Sequence, residues 1–401
     1  MRPRFFSRTV AELITDSESI DTTPRARPRP GLLIVGAGMM GCEHLRVAHL
    51  LGRAHIAGIH DTNAQSIQRA RDTYRRLTGE DLQVFDSLAR ACASASVDAI
   101  VICTPNHTHR RVLESVATCG KPVLLEKPMA TTLPDAQAIV TLAANHPTFI
   151  QLGMQYRFKA QYVDAFHEVK VRNSLGPVQT ISMAEYRPPF LDKVGQWNKF
   201  NRYSGGTLVE KCCHYFDLIN LMAEARPIKV FASGGRAVNF LNFEQDGHRS
   251  DIDDHAMVIL EYQNGIRASF ILNMFSQELY EEMVVSGPLG RLVASEQASF
   301  RPTAGSRARL QVEVGGHPDY DGRCLGYPAA IEQSGHYGAT FFEHLALMDR
   351  LEGKPVDAAT PEQALWSMVV ASAAQHSMTT GKAVDIGEYC ADQGLDLFAV
   401  E

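Results

Sequence analysis

Residues 31–41, Gly31-Leu32-Leu33-Ile34-Val35-Gly36-Ala37-Gly38-Met39-Met40-Gly41, decide the fold of this chain. An apolar run ends there in a Gly-x-Gly-x-x-Gly motif, and a helical pattern begins within it. Glycines at these spacings permit a tight turn and let the backbone approach a pyrophosphate, which the positive end of the following helix attracts. The alternative is an ordinary glycine-rich turn between a strand and a helix. We predict a dinucleotide site formed by Gly36, Gly38, Met39, Met40 and Gly41.

A carboxylate follows the second predicted strand. Asp61 stands 20 residues after Gly41, where a carboxylate accepts hydrogen bonds from the adenosine ribose hydroxyls and repels a 2′-phosphate. Thr62 and Asn63 come next, so no arginine is at hand to bind such a phosphate. The alternative is that Asp61 only caps the helix beginning near Ala64. The sequence therefore favours NAD over NADP.

From residue 31 to residue 152, short apolar runs alternate with helical patterns. The expected strands are Leu32–Val35, Ile56–Ile59, Ala99–Cys103, Val123–Leu125 and Thr148–Leu152. The expected helices are Cys42–Leu51, Ala64–Leu77, His109–Thr118 and Leu133–Ala144. This alternation predicts a doubly wound parallel α/β sheet, a Rossmann domain over residues 31–152.

The pattern changes after Gln155. The sequence predicts helices at Tyr162–Val171, Gly206–Ala223, Thr340–Leu351 and Pro361–Met378. Strand patterns occupy Gln179–Tyr186, Val230–Ser233, Ala256–Tyr262, Ile266–Asn273 and Met283–Ser286. Asn264-Gly265 is a hairpin turn signal, because both residue types tolerate the positive φ of a tight reversal. We therefore expect residues 153–401 to form an α+β domain with a largely antiparallel sheet.

Composition bounds the class of protein. Of 401 residues, 45% are hydrophobic and 21% charged, which are ordinary globular values. A formal charge of −6 gives no support for a nucleic-acid partner. The chain lacks an apolar run of about 20 residues, so no membrane span is expected. Eight cysteines without a Cys-x-x-Cys pair favour a reducing cytoplasm over a zinc knuckle.

The first 30 residues are rich in arginine and proline and precede the first strand. We expect either a disordered tail or an arm that packs on a neighbouring subunit.

Four segments together resemble the glucose–fructose oxidoreductase/inositol dehydrogenase (Gfo/Idh/MocA) family. They are the glycine loop, Thr104–His109, Gly120–Pro128 and Gly205–Asp217, and the likeness runs in order from Gly31 to about Gly290. The resemblance implies an N-terminal Rossmann domain and a C-terminal α/β domain. In that family the open sheet of the second domain often mediates oligomers, so we expect a homo-oligomer, either a dimer or a tetramer.

The fourth segment carries groups suited to acid–base chemistry. Glu210, His214 and Asp217 are spaced i, i+4 and i+7, so a continuous helix would place them on one face. A near-neutral imidazole can take a hydroxyl proton while hydride leaves the same carbon, and an adjacent ammonium stabilises the alkoxide. The resemblance implies that Lys127 and His214 are the catalytic pair, with His214 the proton acceptor.

Alternatives remain for these groups. Glu210 stands where the family most often has aspartate, and we expect it to orient the substrate or to tune His214. His214 could instead be a satisfied core histidine, and a structural role is favoured for Asp217. The alternative is a metal site formed by Glu210, His214 and Asp217, but no further ligand pair supports it, so we expect no metal.

Further contacts follow from the resemblance. The cofactor side is expected to include Thr104, Pro105, Asn106, His109, Glu126, Lys127 and Gln155. Beyond Glu210 and His214, the substrate side is expected to include Tyr156, Arg157, Trp197, Asn198 and His336. Plain packing is the alternative for Trp197, and solvent exposure at a helix start is the alternative for His109.

These features lead to one main hypothesis. It is an NAD-dependent oxidoreductase that oxidises a secondary hydroxyl of a sugar, glycoside or inositol, or reduces the corresponding ketone. One alternative is a glycoside-cleaving enzyme in which NAD transiently oxidises the sugar and elimination follows. Another is a non-catalytic NAD-binding protein.

Overall fold

The computed structural model describes residues 7–18, 29–299, 305–316, 322–356, 358–395 and 397. The helices are α1 Val10–Glu18, α2 Met39–Leu51, α3 Ala64–Thr78, α4 Leu88–Ala93, α5 His109–Ala117, α6 Leu133–Ala144, α7 Ala160–Phe166, α8 Asn201–Ser204, α9 Thr207–Glu210, α10 Cys213–Ala223, α11 Ala329–Glu332, α12 Ala339–Leu351, α13 Pro361–Thr380 and α14 Ile386–Asp392. The strands are β1 Gly31–Val35, β2 His55–His60, β3 Ala99–Ile102, β4 Val123–Glu126, β5 Ile150–Gly153, β6 Thr180–Tyr186, β7 Pro227–Gly235, β8 Glu244–Gln245, β9 His248–Arg249, β10 His255–Tyr262, β11 Arg267–Asn273, β12 Leu279–Gly287, β13 Gly290–Ala298, β14 Ser306–Val314, β15 Arg323–Leu325 and β16 Val384–Asp385.

The first sheet is parallel and has the strand order β2-β1-β3-β4-β5. Its central strands are buried along their whole length, because helices cover both faces of the sheet. This confirms the predicted doubly wound fold. The carboxyl ends of β1, β3 and β4 lie side by side, and the loops that leave them bring the glycine motif, Thr104 and Lys127 to one edge.

The second sheet has nine strands in the order β15-β14-β13-β12-β6-β11-β10-β7-β16. Among the described residues of this sheet only β6 and β11 pair in parallel, so the prediction of a largely antiparallel sheet is confirmed. The hairpin between β10 and β11 turns at Gly265, which has φ +89°. Alternate residues are buried along these strands, since α10 and α13 cover one face.

The predicted continuous helix Gly206–Ala223 is wrong. Helix α9 ends at Glu210, a turn follows at Lys211 and Cys212, and α10 begins at Cys213. At this turn the Lys211 side chain reaches inward, where its ammonium meets Glu185 of β6 at 3.0 Å. The helical spacing that would have placed Glu210, His214 and Asp217 on one face is therefore interrupted.

The N-terminal segment contains α1, which packs on its own chain. The backbone N–H of Val10 donates to Asp164 Oδ1 of α7 at 2.8 Å, and Val10 and Leu13 are buried. Residues 10–18 are thus an ordered helix and not a disordered tail, because their apolar positions at i and i+3 pack on α7. Residues 1–6 and 19–28 of that predicted tail or arm lie outside the described residues. No helix in the described part of the chain is long and apolar enough to cross a membrane.

Candidate active site

The glycine loop has the geometry of a phosphate cradle. Gly36 has φ +97°, and a Cβ there would meet the Cys103 carbonyl group at 2.7 Å. A Cβ at Gly41 would lie 2.1 Å from the Gly36 carbonyl oxygen, so only glycine lets α2 pack this closely. Gly38 instead faces open space at the start of α2, where a ligand would meet bare backbone N–H groups.

Asp61 lies next to this loop. Its Oδ2 accepts a hydrogen bond from the Ala37 N–H at 2.6 Å, and its Oδ1 accepts one from the Asn63 N–H at 2.7 Å. Asn63, and not Asp61, caps α3 by accepting from the Ser66 N–H. The carboxylate is therefore fixed at the loop, where the ribose of a bound dinucleotide is expected.

The segment after β3 is held by hydrogen bonds to the backbone. The imidazole of His109 is buried, with Nδ1 2.9 Å from the Pro128 carbonyl oxygen and Nε2 2.8 Å from the Thr104 carbonyl oxygen. The alternative of a solvent-exposed His109 is wrong. His109 therefore connects the loop after β3 to the loop after β4. Pro105 and Lys127, which adjoin Thr104 and Pro128 in the sequence, are thereby positioned at the sheet edge.

The carboxyl ends of β4 and β5 carry polar groups that fit a bound cofactor. Glu126 is buried, and its Oε1 lies 3.1 Å from His44 Nε2 of α2. Gln155 is fully buried, yet neither its side-chain oxygen nor its nitrogen has a hydrogen-bond partner among the described residues. Buried polar atoms without partners are costly, and a polar ligand would relieve that cost. The residues present therefore fit NAD.

Lys127 and Glu210 meet across the two domains. Lys127 Nζ donates to the Glu210 backbone carbonyl oxygen at 3.2 Å. The Glu210 carboxylate lies 2.8 Å from Lys193 Nζ and also accepts from Asn106 Nδ2. Burial opposes its ionisation, but Lys193 and Lys127 outweigh that and hold the pKa of Glu210 below its usual value. Burial likewise opposes a charged Lys127, but Glu210 raises the pKa of Lys127. Both groups are therefore ionised.

His214 is buried in an environment of cations. Its ring stacks on Tyr156, with centroids 3.9 Å apart and planes 6° from parallel. Burial, and then the charges of Lys127 and Lys211, hold the pKa of His214 well below its usual value. Nδ1 of His214 has no hydrogen-bond partner among the described residues, so this is not a satisfied core histidine. The imidazole is therefore neutral near pH 7.

A row of buried carboxylates supports these cations. Glu185, Glu281 and Glu296 are register neighbours on β6, β12 and β13, and all three are buried. Lys159 Nζ lies 2.7 Å from Glu281 and 2.6 Å from Glu296, and Lys211 pairs with Glu185. The ion pairs offset the cost of burying like charges side by side, and they fix both lysines beneath the Tyr156 ring.

Two predicted substrate residues are occupied elsewhere. The Arg157 guanidinium makes a buried bidentate ion pair with Asp217, at 2.7 and 2.6 Å. Arg157 is therefore held away from a substrate contact, and Asp217 has the structural role that the sequence analysis favoured. Tyr156 offers its ring to His214, while its hydroxyl accepts from Lys211 Nζ at 2.5 Å.

The loop after β6 reaches the Glu210 carboxylate. It carries Trp197, whose ring centroid lies 4.3 Å from Lys193 Nζ. Asn198 is buried and donates to the Leu191 carbonyl oxygen, which fixes the loop. Lys193 was missed by the sequence analysis, because no motif surrounds it. Lys211 was also missed, although its position beside Glu210 in the fourth segment was a usable signal.

His336 lies near the ring of Tyr156. Its Nδ1 is 2.7 Å from Glu43 Oε1, and the centroids of the His336 and Tyr156 rings are 6.2 Å apart. Within the described residues, no group of three or more His, Cys, Asp or Glu side chains is arranged to hold a metal ion. Glu210, His214 and Asp217 in particular point to three different partners.

Comparisons with known proteins identify the family. The model for the oxidoreductase family, NAD-binding Rossmann fold, matches residues 31–154, and the model for its C-terminal alpha/beta domain matches residues 170–386. The rhizopine catabolism protein MocA of Rhizobium meliloti is 25% identical over 194 residues, which span 48% of this chain and 57% of MocA. An inositol 2-dehydrogenase of the same species is 23% identical, over 66% of this chain and 75% of that protein.

Solved structures share the fold. The aldose-aldose oxidoreductase of Caulobacter crescentus, complexed with glycerol, has a TM-score of 0.70 and 19% identity, covering 89% of this chain and 100% of that one. The WlbA dehydrogenase of Bordetella pertussis, in complex with NADH and UDP-GlcNAcA, has a TM-score of 0.68 and 19% identity, covering 89% and 99%. The two family models together span most of the chain, and the protein therefore belongs to the Gfo/Idh/MocA family of oxidoreductases, with NAD as its cofactor.

Proposed function

We propose that this oxidoreductase acts on a secondary hydroxyl of a sugar, glycoside or inositol, or on the corresponding ketone in reverse. One observation carries the proposal. Lys127 and His214, contributed by different domains, lie within electrostatic reach of each other, and burial with the charge of Lys127 keeps the His214 imidazole neutral beside a charged lysine. In this proposal residues 31–152 bind the cofactor and residues 153–401 supply the rest of the substrate site.

His214 and Lys127 act on the substrate hydroxyl in different ways. His214 is neutral, so it accepts the hydroxyl proton, and its position among cations makes the release of that proton to solvent favourable. The Lys127 ammonium stabilises the negative charge that develops on the oxygen. The glycine loop, Asp61, Glu126 and Gln155 would hold NAD, which would supply the hydride acceptor.

In this proposal Glu210 acts on Lys127 and does not contact the substrate directly. Its carboxylate binds Lys193 and Asn106, and its backbone carbonyl accepts from Lys127. Glu210 thereby keeps Lys127 charged and in place. Lys193, which pairs with Glu210, lies against the ring of Trp197, and an ammonium beside an aromatic ring suits a polyhydroxylated substrate.

The relatives give this substrate class further support. One is named an inositol 2-dehydrogenase and another an aldose-aldose oxidoreductase, so polyols and sugars are the first compounds to test. The second sheet also presents exposed apolar side chains on its outer face, among them Phe231, Met257 and Ile259. We include in the proposal that this face pairs with a second copy of the chain.

The test is a screen of the purified protein with NAD and a panel of inositols, aldoses and methyl glycosides, following NADH absorbance. Lys127→Met and His214→Asn should each lower kcat/KM by about 10²-fold or more, because each removes one group from the transition state. NAD affinity, measured by calorimetry, should stay within about threefold. His49→Gln, an exposed histidine of α2, is the control. Normal turnover by either variant would refute the mechanism.

A further inference from the structure

Helix α12 carries a buried carboxyl group that the hydroxyl chemistry does not use. Glu343 is 1% exposed, and neither of its side-chain oxygens has a hydrogen-bond partner among the described residues. A carboxylate buried in this way would cost far more free energy than the neutral acid. Burial, and then the charges of Glu126 and Glu43, accordingly hold the pKa of Glu343 well above its usual value. Glu343 is therefore a neutral acid at pH 7.

Hydrogen bonds connect this part of α12 to the carboxyl edge of the Rossmann sheet. The backbone carbonyl oxygen of Glu343 accepts from Gln151 Nε2 of β5 at 3.5 Å. His344, the next residue, has its Nε2 2.8 Å from His44 Nδ1 of α2, and His44 Nε2 lies 3.1 Å from Glu126 Oε1. Glu126 is the last residue of β4. The surroundings of Glu343 are thus joined to α2 and to the end of β4, and a dinucleotide binds against such elements in this fold.

Other buried polar atoms of this region also lack hydrogen-bond partners among the described residues. They are Gln151 Oε1, His344 Nδ1 and both polar side-chain atoms of Gln155. Helix α12 packs on the turn Gln155–Phe158, so these atoms and the Glu343 carboxyl group belong to one interface. Native proteins leave few buried polar atoms unpaired. Their concentration here indicates a region that a bound polar molecule completes.

The charged groups around Glu343 carry both signs. Glu126 on β4 and Glu43 on α2 oppose its ionisation, whereas Arg157, in the turn after β5, favours it. The guanidinium of Arg157 is already paired with another buried carboxylate. On α12 itself, burial and the neighbouring imidazole of α2 keep the pKa of His344 well below its usual value, so that ring is neutral. The resident charges thus keep Glu343 protonated, and one further positive charge nearby would favour its ionisation.

The two states of the cofactor differ by one positive charge. The oxidised nicotinamide ring is a cation and the reduced ring is neutral, whereas the rest of the dinucleotide has the same charge in both states. At an effective dielectric constant of about 20, a unit charge about 10 Å away changes a protonation equilibrium by about tenfold. Direct contact is therefore not required. A cation bound at the strand ends favours the ionised form of Glu343 across such a distance.

We propose that Glu343 releases its proton when the oxidised cofactor binds, and takes a proton up again when that positive charge is lost on reduction. The O–H bond of the carboxyl group breaks, the proton goes to solvent, and the carboxylate balances the positive charge. No electron transfer accompanies this step. Glu343 thereby favours binding of NAD over NADH increasingly as the pH rises. The inference needs only the NAD cofactor, so it is independent of the substrate class proposed above.

Calorimetry measures the proton release. NAD and NADH are titrated into the nucleotide-free protein at pH 7, in phosphate and in Tris, whose different ionisation enthalpies give the number of protons released. Wild type should release close to one proton with NAD and close to none with NADH. The Kd for NAD should fall by up to about tenfold per unit of pH, and the Kd for NADH should stay nearly constant. Glu343→Gln should release no proton with either nucleotide. Glu278→Gln, an exposed glutamate between β11 and β12, is the matched control and should behave as wild type.

Infrared difference spectra of wild type give a second readout, which decides the question even if Glu343→Gln fails to fold. NAD should remove the C=O band of a protonated carboxyl group, and NADH should leave that band in place. Equal proton counts for NAD and NADH, or an unchanged band with NAD, would overturn the inference. Release that persists in Glu343→Gln but disappears in Lys127→Met would also overturn it, because the proton would then come from the Lys127 ammonium. None of these measurements requires turnover, so a protein that oxidises no polyol of the panel still tests the role of Glu343.

Discussion

The phenol ring of Tyr156 lies parallel to the imidazole of His214, with 3.9 Å between the ring centroids. The contact fixes the plane of an imidazole whose Nδ1 has no partner among the described residues. In many enzymes a carboxylate orients the catalytic imidazole, whereas in the mechanism proposed for this protein an aromatic face would do so. The Tyr156 hydroxyl is held by Lys211, and this ammonium is in turn paired with Glu185 on β6.

The stack predicts a difference between two substitutions of Tyr156. Tyr156→Phe keeps the ring and loses only the hydrogen bond to Lys211, so kcat should fall less than about threefold. Tyr156→Leu removes the flat surface, and His214 then samples unproductive orientations. We expect kcat to fall about tenfold or more in that variant, with KM little changed. Equal kcat values for the two variants, with equal melting temperatures, would contradict an orienting role for the ring.

Lys211 predicts a shift in the pH profile. Burial, then Lys127 and Lys211, lower the pKa of His214, and removal of one cation should raise that pKa. The base works only when unprotonated, so activity falls as the pH drops through this pKa. Lys211→Met should therefore move the acid limb of kcat/KM to higher pH, by up to about one unit. Lys211→Arg keeps the charge and is the matched control. An unmoved limb in a folded Lys211→Met protein would mean that the charge does not act on His214.

Glu210 predicts a change at the other end of the pH range. Its carboxylate raises the pKa of Lys127 against the effect of burial. In Glu210→Gln that support is lost, so the pKa of Lys127 should fall and the ammonium should be lost at lower pH. The basic limb of kcat should then move to lower pH, whereas Glu210→Asp should move it less. The same pH profile for wild type and Glu210→Gln would argue that Glu210 acts on substrate rather than on Lys127.

Local sequence signals were sufficient to predict the strands and helices of the Rossmann domain. Short fully buried strands read as apolar runs, and the glycine spacing marks the first turn, so β1 and α2 were predicted to within three residues. The break between α9 and α10 was not predictable in this way. At the break Lys211 contacts Glu185, which lies 26 positions earlier on a different strand. The apolar residues between 206 and 223 themselves follow the pattern of an unbroken helix.

The candidate site likewise contains residues that local sequence motifs predict and residues that they do not. Lys127, His214 and Glu210 stand in recognisable segments, but their partners Lys193 and Tyr156 are set by tertiary packing. Lys193 is a single lysine in a polar loop, and its contact with Glu210 arises because that loop folds over α9. Glu43 stands two residues beyond the glycine motif, yet nothing local indicates that it meets His336, which lies 293 positions away.

The last prediction concerns the outer face of the second sheet. Met257 and Ile259 of β10 are 64% and 54% exposed, and Ile259 is the register partner of Phe231 on β7, which is 42% exposed. Apolar side chains clustered on one face of a sheet are costly in water, and pairing with a second copy would bury them. Ile259→Glu should therefore shift the protein from oligomer to monomer, because two like charges would meet at a two-fold contact. Sedimentation equilibrium measures the mass, and Arg249→Glu, an exposed change on the β8–β9 hairpin, is the control. An unchanged oligomer in Ile259→Glu, or a monomeric wild type, would refute this interface.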